Sequence, residues 1–156
     1  MFIVIEGLDG SGKTTITEAL AERLNGISLR TPPVEVADIR GAIDGCGDGN
    51  AQWLYYLSCV FFASSQISNY LKTGRPVVCD RYYHTTFSAH YDVIKGVVPD
   101  FLTDESVLIN KLIRPDFVFF LELSEEERAK RISRRRKATD DDFASLDPAL
   151  CQRRME

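Results

Sequence analysis

The sequence predicts a single α/β domain with a mostly parallel sheet. Short apolar runs alternate along the chain with segments whose apolar residues recur at helical spacing, which is typical of strands joined by crossover helices. The unbroken apolar run at residues 2–5 predicts a strand that is buried on both faces. The length of 156 residues, with 44% hydrophobic residues, suits one core and leaves little room for a second. We therefore expect residues 1–156 to form one domain.

The order of the elements follows from the same patterns. After the first strand, further strands are predicted at residues 27–29, 76–79 and 117–121. Helices are predicted at residues 14–24, 53–71 and 102–113, after the capping pair Ser124 and Glu127, and from Asp147 and Pro148 onward. Apolar spacing predicts the inward faces of the first two helices: Ile16, Ala19, Leu20 and Leu24, then Trp53, Leu57, Val60, Phe61, Ile67 and Leu71. Four glycines at residues 41–50 predict a flexible loop.

Composition argues against several classes of protein. The 19 basic and 23 acidic residues give a net charge of -4, opposite to the balance typical of nucleic-acid-binding proteins. The 4 cysteines lie far apart and form no CxxC pair, which indicates reduced thiols rather than a metal site. The apolar start is too short for a signal peptide, and residues 53–63 are too few to cross a bilayer. We expect a cytoplasmic protein that binds neither nucleic acid nor a membrane.

One segment carries a nucleotide-binding motif. Residues 7–14 read GLDGSGKT and fit the P-loop pattern GxxxxGK[ST], with a predicted strand before them and an amphipathic helix after them. The glycines let successive backbone N–H groups and the helix N-terminus point at phosphate oxygens. Lys13 would add a positive charge at the terminal phosphates, and Thr14 a hydroxyl for Mg2+. The predicted fold class is therefore a P-loop NTPase-type parallel sheet flanked by helices in three α/β/α layers.

A second group of polar residues follows the third predicted strand. Asp80, Arg81 and Tyr82 come directly after that strand, and ligands of open parallel sheets bind beyond the carboxyl ends of the strands. Asp80 can hold Mg2+ through water, and Arg81 can hold a phosphate with its fork of N–H donors. An Asp-Arg pair that merely caps the strand end is the alternative.

A basic cluster lies late in the helix that begins after Ser124. It consists of Arg131, Arg134, Arg135 and Arg136. Such a run is typical of a solvated face, and a nucleic-acid patch is disfavoured by the acidic residues 140–142. The variable P-loop positions 8–11 contain no basic residue, however, and phosphoryl transfer needs positive charge on the migrating group. This need favours an arginine of the cluster as the source of that charge.

The motifs together resemble one known family. Residues 2–15, FIVIEGLDGSGKTT, closely resemble the P-loop of thymidylate kinases, and the resemblance extends over nearly the whole chain. Three later segments resemble the same family: its DR(Y/H) motif at residues 80–82, its PD segment at residues 114–116, and the arginine pair of its lid at Arg131 and Arg135.

The resemblance implies transfer of a phosphoryl group from ATP, with Mg2+, to dTMP or a related nucleoside monophosphate. The catalytic residues it implies are Lys13, Arg81, Arg131 and Arg135. Those implied at the ATP phosphates are Gly7, Asp9, Gly10, Ser11, Gly12, Lys13, Thr14 and Thr15. Those implied at the acceptor are Asp9, Arg30, Arg81, Tyr82 and Thr86, and those at the metal are Thr14 and Asp80. The family also implies a lid at about residues 124–142 and a homodimer packed through the long helix, for which an ordinary core helix is the alternative.

The sequence departs from the family at the acceptor base. The R-E-P-G segment of the family reads RTPP at residues 30–33, and Cys59 aligns with the arginine that reads thymine in relatives. A thiol cannot donate the same charged hydrogen bonds. The residues after Tyr82 differ as well, and His84 or His90 there would either read the base or simply pack. Because a site that loses its hydrogen-bonding partners loses discrimination, we expect retained phosphate-binding residues and a rebuilt base pocket.

Two other functions remain open at this stage. One is a P-loop kinase for a modified nucleotide, a nucleoside or another small acceptor, which the altered base positions suggest. The other is a nucleotide-binding relative without catalysis. Relatives continue past the lid into a further helix, strand and helix, whereas this sequence ends at Glu156 inside a predicted helix. We therefore expect either truncated C-terminal elements or an adenine site with less protein than usual.

Overall fold

The sheet has the parallel order that crossover connections produce. The computed structural model describes residues 1–94 and 105–134. Within them, strands β1 (Phe2–Gly7), β2 (Ile27–Arg30), β3 (Val77–Asp80) and β4 (Phe117–Leu121) pair in the order β2-β3-β1-β4. All three pairings are parallel, and β1 lies between β3 and β4. The predicted α/β class and all four predicted strands are confirmed.

Helices connect the strands and cover both faces of the sheet. They are α1 (Lys13–Arg23), α2 (Arg40–Asp44), α3 (Gly49–Lys72), α4 (Tyr83–Ile94), α5 (Glu105–Ile109) and α6 (Glu125–Ser133), with a 3-10 helix at Val34–Ile39 before α2. Ser124 caps α6 by accepting a hydrogen bond from the backbone N–H of Glu127, as predicted. The predicted helix start at Asp147 lies outside the described residues. None of the helices in the described part of the chain is both long and apolar enough to cross a bilayer.

Two of the predicted segments are corrected. The glycine-rich residues 41–50 are not simply a loop, because α2 occupies their start and α3 begins at Gly49. Asp48 explains the early start of α3, since its side chain accepts hydrogen bonds from the N–H groups of Asn50 and Ala51. The helix predicted at residues 102–113 is described only as α5, which gives way to a turn at Asn110.

The core lies on both sides of β1, whose side chains alternate between the two faces. Phe2 and Val4 pack with residues of α3, including Val60 and Ile67. On the opposite face, a second cluster joins β1 and β3 to α1: Ile3, Ile5, Ala21 and Val78. Each fully buried aliphatic side chain contributes roughly 1.5–3 kcal/mol to stability. These two clusters are the contacts that make three α/β/α layers.

The inward face of α1 matches the prediction only in part. Leu20 and Leu24 are half-buried and pack against the second cluster, as predicted, but Ile16 and Ala19 are exposed, and the buried positions are Lys13, Thr17 and Ala21. The reason is that the P-loop turns Lys13 toward its own backbone, and residues at helical spacing from Lys13 must then face the sheet. On α3 the prediction is confirmed for Trp53, Leu57, Val60 and Ile67, and Leu71 is half-buried against the first cluster, while Phe61 is exposed.

Strand β4 is unusually open. Its residues Phe117, Val118, Phe119 and Phe120 are 44–53% exposed, although both faces of the strand are apolar. Among the described residues β4 pairs with β1 alone. Its carboxyl end nevertheless contributes to the nucleotide loop, because the carbonyl of Leu121 lies against Gly7.

Candidate active site

The P-loop connects β1 to α1 and has the backbone that its glycines predict. Gly12 has a φ of 93°, in the left-handed region, and a Cβ there would lie 3.2 Å from a guanidinium nitrogen of Arg131. A Cβ on Gly7 would lie 2.5 Å from the carbonyl oxygen of Leu121, which no side chain could tolerate. The loop is therefore closed tightly between β4 and α6, with room for a glycine backbone and little else.

Lys13 is buried at the first position of α1. Its side chain is 6% exposed, and Nζ donates a hydrogen bond of 2.8 Å to the carbonyl oxygen of Leu8. Nζ also lies 3.9 Å from Oδ1 of Asp9. Burial, and next the positive charge of Arg81, lower the pKa of Lys13 to about 8. The ammonium group therefore sits over the loop in a position where a further negative charge would stabilise it.

Arg81 reaches the P-loop from the end of β3. Its φ of 67° is in the left-handed region, which costs a residue with a Cβ free energy. The backbone N–H of Arg81 donates to the carbonyl oxygen of Ile5 at 3.0 Å, and its guanidinium pairs with Oδ1 of Asp9. The carboxylate of Asp9 thus lies between two cations, Lys13 and Arg81.

Thr14 and Asp80 form a donor set that fits Mg2+. The Thr14 hydroxyl donates to Oδ2 of Asp80 at 2.5 Å, and Oδ1 of Asp80 is buried without a hydrogen-bond partner in the described residues. A hydroxyl and one carboxylate, completed by substrate phosphates and water, are the ligands Mg2+ usually takes. Residues 1–94 and 105–134 contain no group of three or more His, Cys, Asp or Glu side chains that could hold a metal by themselves. The pair therefore suits a metal that arrives with a nucleotide.

Helix α6 packs directly on the P-loop. Arg128 is only 1% exposed, and its Nε donates to the backbone carbonyl of Asp9 at 3.0 Å. A Cβ on Gly10 would lie 3.1 Å from the carbonyl oxygen of Arg128. Arg131, one turn later, brings its guanidinium beside Gly12. Of the predicted lid pair, Arg131 therefore lies at the loop, while Arg135 is outside the described residues.

The predicted acceptor residues separate into two groups. Arg30 ends β2 and lines a pocket of about 250 Å3 that Thr14 and Asp80 also line, so these three residues share one space. Tyr82 instead lies in the core, where its ring packs edge-on against Phe2 at a centroid distance of 5.3 Å. Thr86 is buried on α4.

The region expected to read the acceptor base is aromatic and has its own hydrogen bonds. Tyr55 donates to the carbonyl oxygen of Val36 at 2.9 Å, and Tyr56 donates to Oδ1 of Asp44 at 2.7 Å. Cys59 is buried, and burial raises the pKa of its thiol. His90 packs near the rings of Tyr56 and Trp53, at centroid distances of 5.1 and 6.0 Å. His84 stacks on Tyr83 at 4.0 Å.

Two residues that hold the site together are absent from the sequence-based prediction. Glu6 is buried at the end of β1 and accepts hydrogen bonds from the start of α4. A charged residue inside an apolar strand is a signal that could have been read. Arg128 offers no such signal, because on a charged helix nothing in the sequence distinguishes a buried arginine from an exposed one.

Comparison with known proteins gives one consistent result. A thymidylate kinase family model matches residues 5–154. A probable thymidylate kinase of Thermoplasma acidophilum is 32% identical over 143 residues, which are 86% of this chain and 72% of that protein. A thymidylate kinase of Mesoplasma florum is 32% identical over 149 residues, covering 86% of this chain and 69% of the relative.

Solved structures agree in fold. Thymidylate kinase from Ehrlichia chaffeensis superposes with a TM-score of 0.64 at 24% identity, covering 94% of this chain and 80% of that one. Thymidylate kinase from Candida albicans superposes with a TM-score of 0.67 at 24% identity, covering 97% and 76% of the two chains. With the family model matching almost the full sequence, the chain belongs to the thymidylate kinase family and is a nucleoside monophosphate kinase that uses ATP.

Proposed function

We propose that this chain transfers the γ-phosphoryl group of ATP to dTMP, giving ADP and dTDP. The observation that carries the proposal is the placement of Asp9 between Lys13 and Arg81, where β1 and β3 end. Lys13 belongs to the P-loop, which binds the donor nucleotide, and Arg81 follows β3 at the strand end proposed to face the acceptor. Two phosphate groups brought to the same point would replace the Asp9 carboxylate as partners of these cations.

Each residue has a role that its position supports. Lys13 and Arg131 stabilise the charge of the migrating phosphoryl group, and Arg81 and Arg30 hold the acceptor phosphate. An oxygen of the acceptor phosphate forms the new bond to the γ-phosphorus as the bond to the β,γ-bridging oxygen breaks, and ADP leaves with that electron pair. Thr14 and Asp80 would hold Mg2+, which would supply charge neutralisation on the donor phosphates. Positioning and charge account for the rate, without a covalent enzyme intermediate.

The lid completes this proposal. Residues 124–142 would close over the donor, with Arg135 joining Arg131 at the transferring group and the P-loop residues Gly7, Gly10, Ser11 and Thr15 offering backbone N–H groups. The support is the contact between α6 and the P-loop, since Arg128 and Arg131 both reach it.

A coupled assay of ADP release from Mg-ATP tests the function directly. The acceptors are dTMP, dUMP, UMP, CMP, GMP and AMP, with thymidine as the acceptor that lacks a phosphate. We expect the highest kcat/KM with dTMP and no turnover with thymidine. Turnover with another monophosphate at the expense of dTMP would show that the acceptor base is wrong, and turnover with thymidine would contradict the role of Arg81.

A second acceptor class is favoured by one observation. Cys59, which aligns with the thymine-reading arginine of relatives, is buried, and Tyr55 beside it on α3 already donates to Val36. A kinase for a modified nucleotide or another small acceptor would keep the phosphate-binding residues and change this region. Failure of every natural monophosphate in the assay, with Mg-ATP binding intact, would support this alternative.

We also propose that the chain forms a homodimer through α3, and that the protein is cytoplasmic. Leu54, Phe61 and Phe62 are exposed on this helix, which otherwise supplies much of the core. Exposed apolar side chains on a long helix are typical of an interface between copies. Light scattering after gel filtration should give twice the chain mass, and Phe62→Glu should give a monomer.

A further inference from the structure

Glu6 is the one charged residue in β1, and it is 4% exposed. Its neighbours along the strand are apolar and fully buried. A carboxylate in such a place is costly unless hydrogen-bond donors surround it. The identity of its donors therefore indicates what the residue does.

Within residues 1–94 and 105–134, the donors to Glu6 come from one short segment. Oε1 accepts from the backbone N–H of Tyr82 at 3.0 Å, and Oε2 accepts from the hydroxyl of Thr85. Nδ1 of His84 lies 3.5 Å from Oε1. This segment opens α4, where a negative charge also interacts favourably with the helix dipole. Glu6 thus fastens the start of α4 to the end of β1.

Arg81 lies immediately before the fastened segment. Its peptide is held on one side by the bond from its own N–H to Ile5, and on the other by the bond from the N–H of Tyr82 to Glu6. Between these two bonds Arg81 keeps its left-handed φ of 67°. An arginine adopts a left-handed backbone conformation only where the surrounding contacts impose it. Here that conformation directs the guanidinium of Arg81 back to Asp9.

We propose that Glu6 is a positioning residue for the acceptor phosphate, acting through Arg81. The inference rests on the proposed function, in which Arg81 binds that phosphate. Two successive residues of β1 set the backbone around Arg81, Ile5 through its carbonyl and Glu6 through its side chain. Without the carboxylate, Arg81 relaxes toward an ordinary backbone conformation and its guanidinium leaves the phosphate position.

A double-mutant cycle tests this coupling. The variants are Glu6→Ala, Arg81→Ala and the double variant, and calorimetry measures the Kd of each for dTMP and for thymidine. We expect Glu6→Ala to weaken dTMP binding at least tenfold and thymidine binding less than twofold, because only dTMP presents a phosphate. In the Arg81→Ala background, Glu6→Ala should change dTMP binding less than twofold.

Three controls make the outcome decisive. Glu6→Gln should restore dTMP binding to within threefold of wild type, because its amide oxygen still accepts from Tyr82. Glu22→Ala, at an exposed position on α1, should leave both affinities unchanged. If circular dichroism shows that Glu6→Ala does not fold, Glu6→Met replaces it in the same cycle, since it keeps the length of the side chain and removes both oxygens that accept from Tyr82 and Thr85.

The failures are distinguishable. If Arg81→Ala alone leaves dTMP binding unchanged, the proposed role of Arg81 is wrong and the inference falls with it. If Arg81→Ala weakens dTMP binding but Glu6→Ala does not, or if the two effects add, the proposed function stands and the inference is overturned. Equal loss of dTMP and thymidine in Glu6→Ala would show a general structural role instead.

Discussion

Two regions of the candidate site are held together by different interactions. We call the region around the P-loop and Arg81 the phosphate end, and the aromatic region around Tyr55 and Tyr56, which is proposed to face the acceptor base, the base end. At the phosphate end, Asp9, Lys13 and Arg81 bring three charges together beside the Thr14–Asp80 pair. At the base end, Tyr55 and the other aromatic side chains of α3 meet α2 and α4 through ring packing and hydrogen bonds. The first region contains charges that a ligand would neutralise. In the second region the hydroxyls of Tyr55 and Tyr56 already have protein partners, whereas Nε1 of Trp53 is buried without one among the described residues.

This difference separates what the structure says about chemistry from what it says about substrate choice. Charges held at a strand end indicate phosphate and metal, whichever base accompanies them. Polar atoms that are already paired, such as the hydroxyl of Tyr55, have no evident preference for one base. If the two ends differ in this way, substitutions at the phosphate end should lower activity without lowering stability. Substitutions at the base end should lower stability with little effect on activity.

The largest effect is expected for Lys13→Ala. Removing a preorganised cation from the transferring group should lower kcat by about 100- to 1000-fold or more, as seen for single electrostatic donors in other enzymes. Burial lowers the pKa of Lys13, which means that its charge opposes folding, so Tm should not fall. Steady-state kinetics and thermal unfolding check both parts. Activity near wild type would remove the P-loop lysine from the mechanism.

The next effect concerns the metal. Asp80→Asn should raise the Mg2+ concentration for half-maximal activity about 10- to 100-fold, the usual cost of disturbing a metal-orienting carboxylate. Chelation should abolish wild-type turnover and added Mg2+ should restore it. Asp38→Asn, on the exposed 3-10 helix, serves as the matched control and should leave the titration unchanged. An unaltered Mg2+ dependence in Asp80→Asn would place the metal elsewhere.

The pH dependence of ATP binding should reflect Lys13. Its pKa of about 8 in the free protein means that the charge is present below pH 8 and is lost as the pH rises above it. ATP phosphates are already ionised there, so the Kd for Mg-ATP should rise toward about tenfold per pH unit above pH 8. The thiol of Cys79 does not contribute to this pH dependence, because burial raises its pKa to about 12 and it stays neutral in this range.

Lys13→Arg is the control for that measurement, because a guanidinium keeps its charge throughout the range. Its affinity for Mg-ATP should be independent of pH between 7 and 9.5. A wild-type Kd that is flat over the same interval would show that Lys13 does not titrate there.

The smallest effect is expected at the base end. Tyr56→Phe removes the hydrogen bond to Asp44 and the one accepted from Arg40, which should lower the free energy of unfolding by about 1 kcal/mol or somewhat more. Urea denaturation measures this loss. We expect kcat with dTMP to stay within threefold. A tenfold fall in kcat without a loss of stability would contradict the expected difference between the two ends and would place Tyr56 among the acceptor-binding residues.

The difference between the two ends also explains which parts of the site could be predicted from the sequence alone. The P-loop is local: glycines at fixed spacing impose its backbone, so the placement of Lys13 and Thr14 at the start of α1 could be predicted from the motif and its flanking elements. Asp80 and Arg81 were predictable because parallel strands bring their carboxyl ends to one edge. The sequence could not show that Tyr82 points into the core, since that depends on the turn at Arg81.

The base end depends on contacts between distant segments. The residues 41–50 were predicted as a loop from their glycines, yet Arg40 pairs with Asp44 one helical turn away, and Tyr56 of α3 bonds to that same carboxylate. These stabilising contacts join α2 to α3 and leave no trace in local composition. Arg128 escaped prediction for the same reason, because its partner is a P-loop carbonyl far away in the sequence.

Trp53 is the only tryptophan in the chain, and it is fully buried at the base end between Phe87 and His90. The 6 tyrosines of the chain also fluoresce, but emission excited at wavelengths that only tryptophan absorbs originates from this single reporter, placed where α3 meets α4. A spectral shift on adding a nucleotide reads out rearrangement of that junction, without any label. If the acceptor base binds in this region as proposed, the emission of Trp53 should change when the acceptor binds, and a nucleotide that occupies the P-loop alone should leave the signal almost unchanged.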